Sequence, residues 1–342
     1  MALFDLINDR HKVSIIGLAK NTGKTVVLNV ILEELFIHNV ITGITSIGHD
    51  GEKYDQINNL IMKPSINVKK DMLVATTDKL LTLSSVKYEI LHETDYVTPL
   101  GRVLIVTITE SGRIEVAGPS TACGVNHVAE QMLSLGAAKV LIDGSMDRKA
   151  ISAPDYNDGI IVSTGAILDM DLTKVIRETI NVLNTITLPK IDAIPFDCLA
   201  SSETNFFDSN ANCVAHINGP LLQNGSVLKE LLKDKEVKLI STKRSVTETI
   251  LDMLLDILRI KNERIVLLIN NHTKLFLGKK PISYYQKRGV DLHVVKPAQL
   301  LGLTVNPVSP LSHSFESDIL TNALRSSLPD IPVFDVLSPK YC

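Results

Sequence analysis

The 342-residue chain contains no tryptophan, few other aromatic residues and only four cysteines. Aromatic residues make up 4% of the sequence, so few side chains are present on which the bases of a single-stranded nucleic acid stack. The formal net charge of −3 also argues against the basic surface of a general nucleic-acid-binding protein. We therefore do not expect nucleic acid among the partners of this protein.

Long apolar runs and closely spaced cysteines are lacking as well. No run approaches the roughly 20 apolar residues that a membrane-spanning helix needs. The charged residues Asp9 and Arg10 follow the N-terminus too soon for a signal peptide. The cysteines form no C-x-x-C pair, which is typical of free thiols in a reducing compartment. We therefore expect a cytoplasmic protein without a membrane segment.

The first half of the chain alternates short apolar runs with helical patterns. Runs rich in Val, Ile and Leu that are apolar on both faces are typical of parallel strands buried between layers of helices. The pattern predicts a doubly wound α/β fold with a mostly parallel sheet. The predicted strands are 13–18, 41–47, 72–76, 103–109, 139–143 and 160–163, the predicted helices are 25–38, 78–84, 121–135 and 172–183, and a hairpin is predicted within 107–116.

This pattern fades between about residues 188 and 212, where Pro, Asp, Ser and Asn accumulate. We predict a domain boundary there, with a first domain at 1–190 and a second α/β domain at 191–342. An alternative is that the stretch is one long irregular loop. In the second domain, the predicted strands are 213–217, 237–241, 265–270, 290–295, 303–305 and 333–336, and the predicted helices are 225–232, 246–258 and 315–328.

The most informative segment joins the first predicted strand to the first predicted helix. It contains Gly17, five further residues, and then Gly23-Lys24-Thr25. A glycine lets the backbone approach a phosphate group closely, and the N–H groups at the start of a helix point at it. In such a P-loop, the lysine contacts the β- and γ-phosphates and the Thr hydroxyl binds Mg²⁺. The residues predicted to contact the nucleotide are Gly17, Lys20, Asn21, Thr22, Gly23, Lys24, Thr25 and Val26.

The segment departs from the usual G-x-x-x-x-G-K-[ST] pattern in one respect. Gly17 lies one position early, so that five residues separate the two glycines. A loop one residue longer is compatible with the motif, because the strand and the helix still flank it. Lys20 precedes Lys24 by four positions rather than by the five of loops with a second signature lysine, and we do not assign Lys20 that role. The motif favours a P-loop NTPase-like fold.

Acidic residues follow two of the predicted strands. Asp143 ends an apolar strand, which is the Walker B pattern and places a carboxylate near the metal. Asp50 and Glu52 follow the second strand in a glycine-containing turn. We predict that Thr25, Asp50 and Asp143 bind the metal and that Lys24, Asp50 and Glu52 act in catalysis. A solvated turn is the alternative explanation for the segment with Asp50 and Glu52.

Four other polar turns carry weaker signals. Gly118–Thr121 and Ser163–Ala166 follow apolar segments and either face a ligand or serve as helix caps and turns; for Ser120 and Thr121 we favour helix capping. Asn270–Lys274 and Thr304–Pro307 interrupt apolar strands and are explained equally well by a binding surface or by ordinary turns.

Four segments in combination resemble a known family. They are Gly17-Leu-Ala-Lys-Asn-Thr-Gly-Lys-Thr25, Thr45-Ser-Ile-Gly-His-Asp-Gly-Glu52, Val140-Leu-Ile-Asp-Gly-Ser145 and Leu303-Thr-Val-Asn-Pro307. Together they resemble the P-loop subunit of the reactivase for lysine 5,6-aminomutase or ornithine aminomutase. The segments are spread over most of the chain, so the resemblance concerns more than the nucleotide-binding loop.

The resemblance implies an ATP-dependent, chaperone-like reactivating factor of lysine or ornithine fermentation. Its partners would be a MutS-like ATPase subunit and an adenosylcobalamin-dependent aminomutase, from which damaged cobalamin is released. ATP and Mg²⁺ would be the cofactors, ATP hydrolysis the reaction, and the second domain the part that faces a partner protein.

Two other classes of protein remain as alternatives. A dethiobiotin-synthetase-like ligase has the same Gly, five residues, Gly-Lys-Thr loop and uses ATP to activate a carboxylate on a small molecule. A nucleotide-gated metallochaperone that uses GTP needs an Asn/Thr-Lys-x-Asp motif to recognise guanine. The segment Thr242-Lys243-Arg244-Ser245 lacks that Asp, which favours ATP over GTP.

Overall fold

The computed structural model describes residues 3–48, 65–191, 204–261, 263–311 and 313–335, apart from the side chains of 145–148, 234 and 261. The chain forms two compact units. The first consists of Met1–Thr179 together with Gln299–Cys342, and the second of Ile180–Ala298. Each unit is built around its own sheet.

The described elements up to the second unit alternate strands and helices. They are α1 (Leu3–Ile7), β1 (Lys12–Gly17), α2 (Lys24–Ile37), β2 (Thr42–Ser46), β3 (Ile66–Val68), β4 (Leu73–Thr77), α3 (Asp78–Leu83), β5 (Lys87–Thr98), β6 (Gly101–Glu110), β7 (Gly112–Ile114), α4 (Ala122–Ser134), β8 (Lys139–Ser145), β9 (Gly159–Gly165) and α5 (Leu172–Ile186). Helix α5 runs across the boundary between the units.

The remaining elements continue to residue 335. They are β10 (Thr204–Phe207), β11 (Cys213–Ile217), α6 (Gly225–Asp234), β12 (Leu239–Thr242), β13 (Val246–Thr247), α7 (Glu248–Lys261), β14 (Ile265–Ile269), β15 (Leu275–Phe276), α8 (Ile282–Gln286), β16 (Val290–Val294), β17 (Leu300–Asn306), α9 (Ser317–Ser327) and β18 (Val333–Asp335). None of the described helices is long and apolar enough to cross a membrane.

The first unit contains a nine-stranded sheet in the order β18-β17-β9-β1-β8-β2-β4-β6-β5. The seven strands from β18 to β4 are parallel, and β6 and β5 complete the sheet in antiparallel pairing. Alternate residues of β8 pack on opposite faces: Leu141 joins the apolar cluster that contains residues of α2, and Val140 joins the cluster that contains residues of α4. Burial on both faces explains the continuous apolar runs, and the prediction of an α/β fold with a large, mostly parallel sheet is confirmed.

The second unit contains a five-stranded sheet in the order β11-β10-β12-β14-β16. Strands β12, β14 and β16 are parallel, whereas β10 is antiparallel to both of its neighbours. The core of this unit is built from apolar side chains of the sheet and of the helices, including Phe206, Leu254 and Tyr285. The predicted second region is therefore α/β as well.

The antiparallel pairing at the edge of the large sheet differs from the prediction. The hairpin predicted within 107–116 is wrong, because β7 pairs with β3 and not with β6. The hairpin present is β5–β6, in which the long strand β5 was not predicted. Strand β5 is exposed along most of its length, so its sequence lacks the apolar run by which buried strands are recognised.

The division of the chain also differs from the predicted one. The prediction assigned the whole of 191–342 to a second domain, but the second unit extends from Ile180 to Ala298. Strand β17 pairs with β9, and β18 pairs with β17, in the sheet of the first unit. An apolar strand has the same sequence pattern in either sheet, so hydrophobic periodicity does not reveal that the chain returns to the first unit.

Candidate functional site

The parallel strands of the first unit bring several loops to one edge of the sheet. Strand β1 ends at Gly17 and lies between β8 and β9. Its register aligns Ile15 with Asp143 of β8 and Gly17 with Ser163 of β9. In open α/β sheets, ligands bind outside the carboxyl ends of the strands. We call the segment that follows β1 the 17–25 loop.

Two glycines allow the tight path of the 17–25 loop. A Cβ atom at Gly17 would lie 2.4 Å from Thr22 Oγ1 and 2.8 Å from Lys24 Cδ, so a larger residue would displace the loop. Gly23 has φ 85° and occupies the N-cap position of α2. This left-handed conformation is accessible to glycine at little cost. The glycine positions in the motif thus match local requirements of the backbone.

The side chains within the loop point in different directions. Thr22 is 1% exposed, and its hydroxyl donates a hydrogen bond to the carbonyl of Ala19 at 3.1 Å. Val26 packs against the apolar core, whereas Lys20 and Asn21 are exposed. Of the residues predicted to contact a nucleotide, Thr22 and Val26 therefore turn their side chains towards the protein.

Lys24 and Asp143 meet beside the loop. Lys24 Nζ donates a hydrogen bond to the carbonyl of Gly144 at 2.7 Å and lies 3.5 Å from Asp143 Oδ1. The two side chains are 20% and 28% exposed, respectively. Thr25 follows Lys24 in the first turn of α2 and is half-buried. The structure thus brings a lysine and a carboxylate that are far apart in the sequence to the start of one helix.

The electrostatic environment of Asp143 is unfavourable for its charge. Burial raises the pKa of Asp143 above the ordinary value of 3.8, and the nearby ammonium group of Lys24 opposes this shift. Perturbed carboxylates next to a specific charged partner are concentrated at functional sites. A carboxylate with only a structural role would not stabilise the protein at such a buried position.

The predicted residues Asp50 and Glu52 lie outside the described residues, and their assignment stays a prediction. The described chain leaves β2 through Ser46 and reaches Gly48, which has φ 62°. The N–H of Gly48 donates to the carbonyl of Pro119 at 2.8 Å. The start of this segment is therefore fixed against the turn at Gly118–Thr121.

The polar turns Gly118–Thr121 and Ser163–Ala166 contain residues with structural roles. Thr121 is the N-cap of α4, and its hydroxyl accepts a hydrogen bond from the N–H of Gly124 at 3.1 Å, so the helix-capping explanation is confirmed for this residue. The Ser163 hydroxyl is hydrogen-bonded to the Thr304 hydroxyl at 2.8 Å. The Ser163 carbonyl also accepts a hydrogen bond from the N–H of Leu18 at 2.9 Å, which ties the loop to β9.

Asn306 contacts the loop, whereas its segment Thr304–Pro307 was predicted only as a binding surface or an ordinary turn, without a role beside the 17–25 loop. It ends β17, and its Nδ2 donates a hydrogen bond to the carbonyl of Asn21 at 3.2 Å. Its Oδ1 accepts from the N–H of Val308 at 3.1 Å, which fixes the orientation of the amide. Its Cβ lies 3.3 Å from where a Cβ of Gly23 would stand. The signal in the sequence was an Asn-Pro pair at the end of an apolar strand, which does not indicate a partner 285 residues away.

Comparisons with known proteins do not assign the chain to a family. No family model, no curated protein and no solved structure matches the chain. Among the described residues, no group of three or more His, Cys, Asp or Glu side chains is arranged to hold a metal ion. The chemistry of the site is therefore argued from the contacts of the loop, Lys24 and Asp143.

The hydrogen bond from Asn306 should restrain the 17–25 loop. In an Asn306→Ala variant, we expect amide hydrogen exchange of peptides covering the loop to accelerate about fivefold, because one hydrogen bond contributes about 1 kcal/mol. Hydrogen exchange followed by mass spectrometry measures this change. Asn322→Ala, on the exposed side of α9, is the matched control and should leave the loop unchanged. Equal exchange in both variants would show that the Asn306 contact does not hold the loop.

Removing the charge of Asp143 should stabilise the protein. The raised pKa means that the ionised form is costly in the folded state, so Asp143→Asn should increase the free energy of unfolding at neutral pH. Acid protonates the carboxyl and removes the same cost from the unchanged chain. The advantage of the variant should therefore shrink as the pH falls through the raised pKa, and should vanish below the ordinary value of 3.8. Urea unfolding across this pH range measures it.

Asp169→Asn provides a control of opposite sign. The backbone N–H of Asp171 is the main cause that lowers the pKa of Asp169, so the ionised form of Asp169 is stabilising. We expect this variant to lose stability at neutral pH and to regain parity with the unchanged chain as acid protonates Asp169. A loss of stability at neutral pH in Asp143→Asn as well would mean that Lys24 outweighs the cost of burying the carboxylate.

Proposed function

We propose that the 17–25 loop binds ATP together with Mg²⁺ and that the protein hydrolyses this nucleotide. The observation that carries the proposal is the convergence of Lys24 and Asp143 at the first turn of α2, where the ammonium group lies 3.5 Å from the carboxylate. A basic side chain for phosphates and a carboxylate for a metal are the two charged groups that P-loop NTPases use.

The residues present fit a triphosphate with a magnesium ion. The first turn of α2 leaves backbone N–H groups without partners inside the helix, and Gly23 at the N-cap has no side chain to cover them. The backbone at Gly17 passes so close to Thr22 and Lys24 that no Cβ would fit. Magnesium bound with a nucleotide needs only one or two protein ligands, since phosphate oxygens and water complete its octahedron.

Each residue has a distinct role in this proposal. Lys24 binds the β- and γ-phosphates, and the Thr25 hydroxyl and Asp143 hold the metal directly or through water. Magnesium would neutralise negative charge on the phosphates when it is bound. Asp50 and Glu52 are proposed to position the attacking water or to contact the metal. Gly17, Lys20, Asn21 and Gly23 line the loop, with Thr22 and Val26 contributing through their backbone.

Replacing Lys24 should weaken nucleotide binding strongly. We expect Lys24→Ala to weaken ATP affinity by at least about tenfold, because hydrogen bonds to charged groups contribute about 1.5–3 kcal/mol each. Isothermal titration calorimetry with Mg²⁺ and ATP measures the affinity. The variant also leaves Asp143 without its opposing charge, so a modest loss of stability is expected.

Lys87→Ala is the matched control for this variant. Lys87 lies on the exposed strand β5, where its ammonium group pairs with Glu110. Its removal should change neither ATP affinity nor stability measurably, since exposed ion pairs contribute little. Unchanged ATP affinity in Lys24→Ala, with the fold intact by circular dichroism, would contradict the assignment of the loop.

We further propose, from the resemblance of the four sequence segments, that the protein is the nucleotide-binding subunit of an aminomutase reactivase. In this role, ATP would favour one conformation of the protein and a MutS-like subunit would help to open an adenosylcobalamin-dependent aminomutase. A nucleotide shifts a partner between two states only by its differential affinity for those states. Part of the chain must therefore contact a partner protein, and the second unit is our candidate.

Phosphate release from ATP tests this role. The purified protein is assayed alone, and then with a cobalamin-inactivated lysine or ornithine aminomutase and the MutS-like subunit. We expect hydrolysis to rise in the complete mixture and mutase activity to return, and Lys24→Ala should prevent both. Hydrolysis that is indifferent to both proteins would contradict the reactivase role and would favour an ATP-dependent ligase acting on a small molecule.

A further inference from the structure

The second unit has a sheet edge of its own at which loops converge. Its parallel strands β12, β14 and β16 end at Thr242, Ile269 and Val294. The carboxyl ends of adjacent parallel strands lie at one edge of a sheet, where α/β proteins commonly bind ligands. The loops that leave this edge include the two polar segments 242–245 and 270–274, which are not part of the proposed ATP site.

The charges at the two edges of this sheet are distributed differently. The residues that follow the three strands, 243–247, 270–274 and 295–298, include four basic residues and no Asp or Glu. The four are Lys243, Arg244, Lys274 and Lys296. At the opposite edge, cations and carboxylates alternate and form ion pairs, namely Lys238 with Glu263 and Arg264 with Asp291. These three segments therefore carry a net positive charge.

A short parallel ribbon holds two of these loops together. Val246 of β13 pairs with Leu275 of β15, and Thr247 pairs with Phe276. Arg244 precedes Val246 by two residues and Lys274 precedes Leu275 by one, so both basic residues lie in the backbone segments that enter the same end of the ribbon. At the other end, the first acidic residue of α7, Glu248, accepts a hydrogen bond from the N–H of Gly278 at 2.6 Å.

Local hydrogen bonds give both loops a defined conformation. The Thr242 hydroxyl accepts a hydrogen bond from the N–H of Arg244 at 3.2 Å. Asn271 Oδ1 accepts hydrogen bonds from the N–H of Thr273 at 3.0 Å and from its hydroxyl at 2.6 Å. Thr242 and Asn271 are both buried. Because the loops are fixed before any ligand arrives, binding there would lose little conformational entropy.

Two polar atoms in the first of these loops are buried without a hydrogen-bond partner among the described residues. They are Arg244 Nε and Thr247 Oγ1. A buried donor that lacks an acceptor costs about 1–3 kcal/mol. A guanidinium group pairs well with a phosphate, whose oxygens accept several hydrogen bonds in a geometry that matches its planar set of donors.

We propose that this edge, formed by residues 242–247 and 271–274, is a second anion site that binds the phosphate group of a small molecule. Arg244 and Lys274 are the cationic contacts, and Thr247 supplies a hydroxyl donor. Arg244 is half-buried, with its Nε covered and the rest of the side chain partly exposed. A small phosphate group reaches such a side chain more readily than an acidic protein surface does, so the protein surface is the less favoured ligand. The site is independent of the 17–25 loop.

Binding of inorganic pyrophosphate to a chain that carries Lys24→Ala tests the proposal, because that background removes the predicted lysine contact with phosphate in the first unit. Calorimetry at low ionic strength should detect a single site. Adding Arg244→Gln should weaken the pyrophosphate affinity by about tenfold, as expected for loss of a hydrogen-bonded charge pair. Lys274→Gln should weaken it in the same direction.

Arg264→Gln in the same background is the matched control, because it also removes one arginine of this unit but at the opposite edge, where Arg264 pairs with Asp291. It should leave pyrophosphate affinity unchanged. An equal loss in Arg264→Gln and Arg244→Gln would overturn the proposal, since it would show attraction by net charge alone. Absence of pyrophosphate binding in folded Lys24→Ala protein would overturn it too, and would leave the acidic protein surface as the ligand for these cations. Neither result bears on ATP binding by the unaltered loop.

Discussion

Parallel pairing of β1 with β8 and β9 determines which side chains can meet in the first unit. The register with β8 carries Asp143 to the edge at which β1 ends, and the register with β9 places Ser163 beside Gly17. The tight turn after Gly17 then starts α2 so close to β8 that Lys24 reaches the carbonyl of Gly144. None of these contacts depends on residues adjacent in the sequence. The site is a consequence of strand order, and a different neighbour for β1 would leave Lys24 without its carboxylate.

The contact between Lys24 and Asp143 also has an energetic consequence. Burial makes the carboxylate costly, and the ammonium group offsets part of that cost. Apolar residues at positions 24 and 143 would avoid this cost, since β1 and β8 bury mainly Val, Ile and Leu around the pair. Functional sites commonly retain charged groups that lower stability, and the cost of this pair is consistent with the role that we propose for it. The stability of the Asp143→Asn variant and the ATP affinity of the Lys24→Ala variant therefore both report on the contact between Lys24 and Asp143.

The sequence predicted well those features whose causes are local. Buried parallel strands such as β1 and β8 have apolar runs because both faces are covered, and Gly23 and Lys24 form a local pattern with a known geometry. Features that depend on distant partners were missed. Strand β5 is exposed and has no apolar run, and β17 has the same pattern whether it joins one sheet or the other. Asn306 contacts the loop only because β17 returns to pair with β9, which no window of the sequence reveals.

Under our two proposals, the same rule of topology leads to different ligands in the two units. Both place loops at the carboxyl ends of parallel strands, but the first edge combines an ammonium group with a carboxylate, whereas the second has cations without a carboxylate in its loops. A carboxylate next to a phosphate is favourable only when a metal ion lies between them, since otherwise two negative charges repel. This difference in charge is the reason why we propose a metal-bound nucleotide at the first edge and a phosphate without a metal at the second. Pyrophosphate in the absence of Mg²⁺ is therefore the appropriate probe of Arg244 and Lys274.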